Sequence, residues 1–98
     1  MPDPYELSSY EPLVGDVFRL EFADHPPVDL TLVDAAPGPW QRPEGGKTAF
    51  RLEFSGPAQP LLEQRTYRME HAALGPVDLF IVPLAQDGER STYEAVVN

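Results

Sequence analysis

Residues 45–48, with the sequence GGKT, match the end of a phosphate-binding loop. The complete motif has another glycine where this chain has Gln41, an apolar strand before the loop and a helix after it. Here a proline-rich stretch precedes the four residues, and an alternating apolar and polar segment follows them. We therefore interpret residues 45–48 as a loop that enters a strand rather than as a nucleotide site.

The chain has two histidines, His25 and His71, and no cysteine. A metal site usually has three or four convergent ligands, so we expect no metal and no cofactor. His71 ends an alternating segment on the same face as Tyr67 and Met69, which is typical of a partly buried, hydrogen-bonded histidine. The alternative is that Tyr67, Met69 and His71 line the cavity of a small-ligand-binding barrel or of an enzyme.

The remaining candidates for catalysis are serines and carboxylates. No serine lies in a nucleophile elbow, and the 16 Asp and Glu residues are spread along the chain. Acid–base catalysis needs a convergent pair of carboxylates in environments that separate their pKa values. The glutamates Glu21, Glu53 and Glu70 are better explained as outward-facing partners of arginines on a sheet. The sequence therefore predicts a non-enzymatic protein without catalytic residues.

Trp40, Gln41 and Arg42 form a candidate partner-binding segment, because Pro39 and Pro43 flank them. Trp and Arg are enriched at binding hot spots, and flanking prolines reduce the entropy that a loop loses on docking. The alternative is that Trp40 folds back and closes an open end of the sheet core.

Charge and hydropathy restrict the partners of this 98-residue chain. Its net charge of −9 argues against nucleic acid and anionic membranes, which are bound mainly by clustered Lys and Arg. No apolar run approaches the length of a membrane span, and the N-terminus does not resemble a secretory signal. We expect a cytoplasmic protein, or one carried on a particle or appendage that is assembled without its own signal peptide. Another protein is the expected partner.

The elements that must position these residues are strands, because apolar and polar residues alternate along most of the chain. The pentapeptide FRLEF occurs twice, at 18–22 and 50–54, and YRMEH at 67–71 resembles it. The two FRLEF segments stand at different distances from the Val-Asp-Leu segments at 28–30 and 77–79, so we interpret them as convergent. Six strands are predicted, near residues 16–22, 28–35, 47–55, 65–71, 76–84 and 91–97.

Short turns between the predicted strands favour antiparallel hairpins, since parallel neighbours need a long crossover. Two strands of the Arg-x-Glu type would then pair with their central aliphatic residues opposed and each Arg facing a Glu. A helical turn is expected near Tyr10 and ended by Gly15. The prediction is an all-β protein, a compact six-stranded antiparallel barrel or roll with one short N-terminal helical turn. Residues 1–9 are assigned as an extension and residues 10–98 as a single domain.

Four short motifs are distributed from Tyr10 to Asn98: YEPLVG at 10–15, TYRMEH at 66–71, LFIVP at 79–83 and YEAVVN at 93–98. In these motifs the chain resembles a small bacterial domain family of unknown function. The family commonly has Phe at the positions of Tyr10 and Val97. The resemblance implies no catalytic residues. Through a loose association with phage-tail-collar-like proteins, it implies an assembly or accessory role. We therefore expect a protein-binding or assembly module.

Overall fold

The computed structural model describes residues 3, 5–24, 26–38 and 49–97. Within this part of the chain, six strands pair in the order β1-β2-β3-β6-β5-β4 and close into a barrel through antiparallel pairing of β1 with β4. The strands are β1 (Val17–Leu20), β2 (Val28–Pro37), β3 (Phe50–Pro57), β4 (Arg65–His71), β5 (Gly75–Gln86) and β6 (Arg90–Val97). The predicted six-stranded antiparallel barrel is confirmed.

Two short 3-10 turns, Leu7–Ser9 and Glu11–Leu13, precede β1. Gly15 follows them with a φ of 98°, a left-handed conformation that glycine adopts without strain. The predicted N-terminal helical turn is therefore confirmed, and it begins earlier than expected. Leu7 is partly buried against the core, so part of the segment assigned as an extension packs on the barrel. In the described part of the chain, no helix has the length and apolar character to cross a membrane.

The barrel interior is filled by apolar side chains from every strand, because alternate residues of each strand face inward. Tyr10 is fully buried and its ring lies 5.6 Å from that of Phe50, so the N-terminal turns cover one end of the barrel. Side chains with no exposed surface include Phe18, Leu20, Leu30, Leu32, Leu52, Phe54, Met69 and Ile81. Burial of each such side chain contributes about 1.5–3 kcal/mol, which makes this core the main source of stability.

The barrel consists of two equivalent halves, β1–β3 and β4–β6. In the first hairpin Phe18, Arg19 and Leu20 lie opposite Leu30, Asp29 and Val28. In the second hairpin Tyr67, Arg68 and Met69 lie opposite Leu79, Asp78 and Val77. The counterpart of residues 18–22 is therefore 67–71 and not the second FRLEF segment at 50–54. The sequence comparison paired the wrong strands, because identical residues in β1 and β3 have different neighbours in the barrel.

The Arg-x-Glu strands β1 and β4 pair in the predicted register, with Leu20 opposite Met69 and Arg19 opposite Glu70. The ion pairs of their arginines were predicted wrongly. Arg19 Nε lies 3.1 Å from Asp29 Oδ1, on the neighbouring strand of its hairpin. Asp29, directly across the hairpin, takes the place expected for Glu70. On β3 the prediction is confirmed for Glu53, which lies 3.4 Å from Arg51.

Candidate functional site

The barrel opens where β1 and β4 separate. Their ladder has two register pairs, which include Leu20 opposite Met69, the shortest ladder among the described strands. The chain leaves β1 after Leu20, whereas residues 65–68 of β4 continue to pair with β5. Apart from the bonds of that ladder, no backbone hydrogen bond among the described residues joins 21–24 to 65–68. One edge of β4 is therefore unpaired over its first four residues.

Two connected depressions occupy this opening. The larger, of about 470 Å³, is lined by residues 21–24 and 65–68. The smaller, of about 220 Å³, shares Phe22 and Tyr67 with the first and extends along residues 60–63. We call the two depressions together the seam groove. Its volume falls in the range of about 300–1,000 Å³ that is common for ligand sites, but it is open to solvent along its length.

Aromatic rings form the floor of the seam groove. The Phe22 and Tyr67 rings lie 6.0 Å apart at 73°, an edge-to-face arrangement that is favourable for aromatic pairs. The Arg65 guanidinium lies 5.5 Å from the centre of the Tyr67 ring, within reach of a cation–π interaction. Phe22 is partly buried and Tyr67 is 8% exposed, so the floor consists of the accessible surfaces of two rings that are packed against the core.

Residues 60–63 form one wall of the groove, and two tyrosine hydroxyls bond to their backbone. The Tyr67 hydroxyl donates a hydrogen bond of 2.7 Å to the Glu63 carbonyl, and the Tyr93 hydroxyl accepts one of 3.0 Å from the Leu62 N–H. A tyrosine hydroxyl is protonated at neutral pH and can donate, and burial raises the pKa of Tyr67 further above its ordinary value of 10.0. Leu62 is buried and contributes to the lining of the smaller depression. The groove is therefore preformed by the fold.

Carboxylates outnumber unmatched cations around the groove. Glu21, Asp24 and Glu63 line it, together with Arg65 and Arg68. Arg68 already has a carboxylate partner outside the groove, because its Nε lies 3.2 Å from Asp78 Oδ1. That hydrogen bond raises the pKa of Arg68. The charges left for a ligand are therefore mainly negative.

The opposite end of the same seam is closed by the chain itself. His71 Nε2 lies 2.8 Å from Asp16 Oδ2, and His71 Nδ1 accepts hydrogen bonds from the N–H groups of Ala73 and Leu74, at 3.0 and 3.3 Å. Because Nδ1 accepts from two donors, the ring proton lies on Nε2, which donates to Asp16. Both ring nitrogens are thus engaged. These contacts fix the ring and tie β4 to the residue before β1, and we call them the His71 clasp.

The two ends of the seam can be compared position by position, because the two halves of the barrel are equivalent. The Phe18 and His71 rings lie 4.9 Å apart, and they correspond to Tyr67 and Phe22 in the groove. The position that corresponds to Asp16 is that of Arg65. The same architecture is therefore closed by a hydrogen bond at one end of the seam and lined by a ring and a guanidinium at the other.

The residues singled out from the sequence are dispersed. Tyr67 lines the seam groove, Met69 has no exposed surface within the core, and His71 lies in the clasp. The depressions that Tyr67 lines include neither of the other two. The partner-binding candidates Trp40, Gln41 and Arg42, the loop at 45–48 and His25 lie outside the described residues.

Sequence reasoning missed most of the groove. Phe22 continues the alternation of a predicted strand, and no motif in the sequence marks Asp24, Arg65 or residues 60–63 as site residues. The one available signal was Arg65-Thr66-Tyr67, a cation and an aromatic residue two positions apart at the start of a strand. In the described part of the chain, no group of three or more His, Asp or Glu side chains is arranged to hold a metal ion.

Of three comparisons with known proteins, one finds a match. Neither the curated proteins nor the solved structures contain a match to this chain. A family model covers nearly the whole sequence, from residue 5 to residue 97. The chain belongs to the family described as a domain of unknown function (DUF6916).

Proposed function

We propose that the protein is a non-enzymatic protein-binding module that docks its partner in the seam groove. The observation that carries the proposal is the unpaired edge of β4 at residues 65–68, which lies beside the Phe22 and Tyr67 rings. A strand edge without a neighbour offers backbone donors and acceptors to another chain. Two further observations support the proposal. Side chains fill the barrel interior, and both nitrogens of His71 are engaged within the protein.

The chemistry of the groove favours a protein over a nucleic acid as the partner. Nucleic acids are bound by clusters of Lys and Arg, whereas Glu21, Asp24 and Glu63 line this groove and the net charge of the chain is −9. Aromatic rings beside carboxylates suit a partner with both apolar and basic side chains.

The setting of this interaction is proposed from the family resemblance. In it, the partner is a tail-collar-like component of a phage-tail-like or surface appendage, and the protein is an assembly or accessory factor. The factor acts in the cytoplasm or is carried on the assembled particle. Trp40, Gln41 and Arg42 are proposed as a second contact with the same partner.

Affinity capture from cells of the native host tests the proposal. The bait is compared with Asp24→Lys/Glu63→Lys, which reverses two groove charges. The matched control is Glu11→Lys/Glu89→Lys, which changes the net charge equally at exposed residues that do not line the groove. Trp40→Ala tests the second contact.

We expect the same protein to be retained by the unaltered bait and by the control, and to be lost from the groove variant. Equal retention by the groove variant would contradict the proposal. The ligand-binding alternative gives a different outcome, in which a small molecule co-purifies with the bait and its loss follows the groove variant.

A further inference from the structure

We propose that the occupant of the seam groove is an extended segment of the partner protein that adds as a strand to the edge of β4 at residues 65–68. The segment alternates apolar and basic side chains. This inference deepens the proposed function and rests on it, because it states how the groove holds its partner.

The backbone of β4 supplies the first argument. Successive residues of a strand direct their N–H and C=O groups to opposite sides, so each side is served by alternate residues. Strand β5 pairs with β4 from Arg65 to His71, but on the other side β1 reaches only Met69 and Glu70. Alternate backbone groups within residues 65–68 therefore face the groove. Strand addition uses such groups for affinity and side-chain pockets for specificity.

Side chains supply the second argument. Every second residue of an added strand would point toward the barrel, onto the Phe22 and Tyr67 rings, which favours an apolar residue there. The intervening residues would lie near Asp24 and Glu63 on the rim, which favours Lys or Arg. Arg68 does not oppose such charges strongly, because Asp78 already neutralises it. The alternation of the ligand thus follows from the groove.

The clasp at the other end of the seam supplies the third argument. There the chain closes the equivalent opening with the hydrogen bond from His71 to Asp16. The fold can therefore close such an opening with a hydrogen bond between these two positions. In the groove Phe22 and Arg65 occupy them, and that hydrogen bond cannot form because a phenylalanine side chain has no donor or acceptor. An opening that the architecture does not require is consistent with a binding edge.

The test uses a synthetic peptide in which lysine alternates with valine. The first control peptide has glutamate in place of every lysine. Two further peptides carry N-methyl groups on alternate backbone nitrogens, one on each of the two possible sets. Because a strand pairs through one set of N–H groups, only one of these two peptides loses the hydrogen bonds to β4. Binding is followed by amide chemical shifts of the full-length protein.

We expect the shift changes to lie in residues 21–24 and 65–68. Binding should weaken by about tenfold or more with the glutamate peptide, because like charges then face each other. One N-methylated peptide should bind much more weakly than the other. Asp24→Lys/Glu63→Lys should abolish binding, and Glu11→Lys/Glu89→Lys should not.

Three outcomes would overturn strand addition: no binding of the lysine–valine peptide, equal binding of both N-methylated peptides, or shift changes elsewhere on the barrel. If these occur while partner capture still depends on Asp24 and Glu63, the proposed function stands and the mode of binding is wrong. If capture does not depend on the groove, both proposals fail.

Discussion

Arg19 and Arg68 occupy equivalent positions in the two halves of the barrel. Each guanidinium contacts the aspartate directly across its hairpin, Asp29 at 3.1 Å and Asp78 at 3.2 Å, and each aspartate lies ten residues after its arginine. In both, this hydrogen bond is the main cause that raises the pKa of the arginine. Since the halves agree at this level of detail, the places where they differ are the ones to examine for function.

Arg51 is one such difference, because it prevents a repulsion between the halves. Glu53 and Glu94 lie directly opposite each other on β3 and β6. Arg51 lies between them, 2.8 Å from Glu94 and 3.4 Å from Glu53. We expect Arg51→Met to lower the free energy of unfolding by about 1 kcal/mol, since like charges on opposed residues are destabilising.

Urea unfolding at low and high salt measures this effect. Arg51→Met/Glu94→Gln is the control and should recover part of the loss, because one of the two facing charges is gone. A loss that is independent of salt and unaffected by the second substitution would show that the repulsion is not its cause.

Gly56 on β3 faces the barrel interior, where there is no room for a side chain. A Cβ atom at this position would overlap with Leu30 Cδ2. We therefore expect Gly56→Ala to destabilise the protein by about 1–3 kcal/mol, the usual cost of overpacking a core. Thermal unfolding of Gly88→Ala is the comparison, since a Cβ there meets no atom within 4 Å. Equal stability of the two variants would contradict the packing at Gly56.

Tyr10 makes stability depend on pH in the alkaline range. Burial, and then the charges of Tyr5 and Asp3, raise its pKa above the ordinary value of 10.0. A raised pKa contributes stability that is fully present below the ordinary value and is lost as the pH rises from there toward the pKa of the folded protein. One such group removes about 1.4 kcal/mol for each pH unit in this window. Tyr10→Phe should flatten the dependence of unfolding free energy on pH above 10.0, and an unchanged slope would contradict the account.

The clasp of His71 should stabilise the barrel. His71→Ala removes the acceptor for the Ala73 and Leu74 N–H groups and the hydrogen bond to Asp16. We expect a loss of about 1–2 kcal/mol in unfolding free energy, because polar groups that lose their partners on partial burial are costly. Asp16→Asn keeps an oxygen for the Nε2 proton and should cost less. A larger loss in Asp16→Asn would place the stabilising contact elsewhere.

The strands were predictable because each buries one face, and burial of one face leaves a period of two in the sequence. The predicted strand at 65–71 coincides with β4, and those at 28–35 and 76–84 fall within β2 and β5. The first strand was predicted to reach Phe22, but β1 ends at Leu20. Phe22 keeps the alternation of the strand after the ladder has ended, and alternation reports burial rather than pairing across strands.

The groove could not be predicted for the same reason. Its residues come from three segments that the barrel closure brings together, and closure depends on which strands become neighbours. Sequence identity matches Phe18 with Phe50, whereas strand pairing makes Phe18 equivalent to Tyr67. Once the halves are aligned by pairing, the contrast between the His71 clasp and the open groove becomes visible.

Amide hydrogen exchange at residues 65–68 tests the central claim most directly. In the free protein, the account predicts that alternate amides of this stretch exchange quickly while the intervening ones are protected by β5. With saturating lysine–valine peptide, the fast amides should slow by about tenfold or more, as expected when an edge gains a hydrogen-bonded neighbour. Uniform protection of all four amides in the free protein, or fast exchange that persists in the bound state, would contradict it.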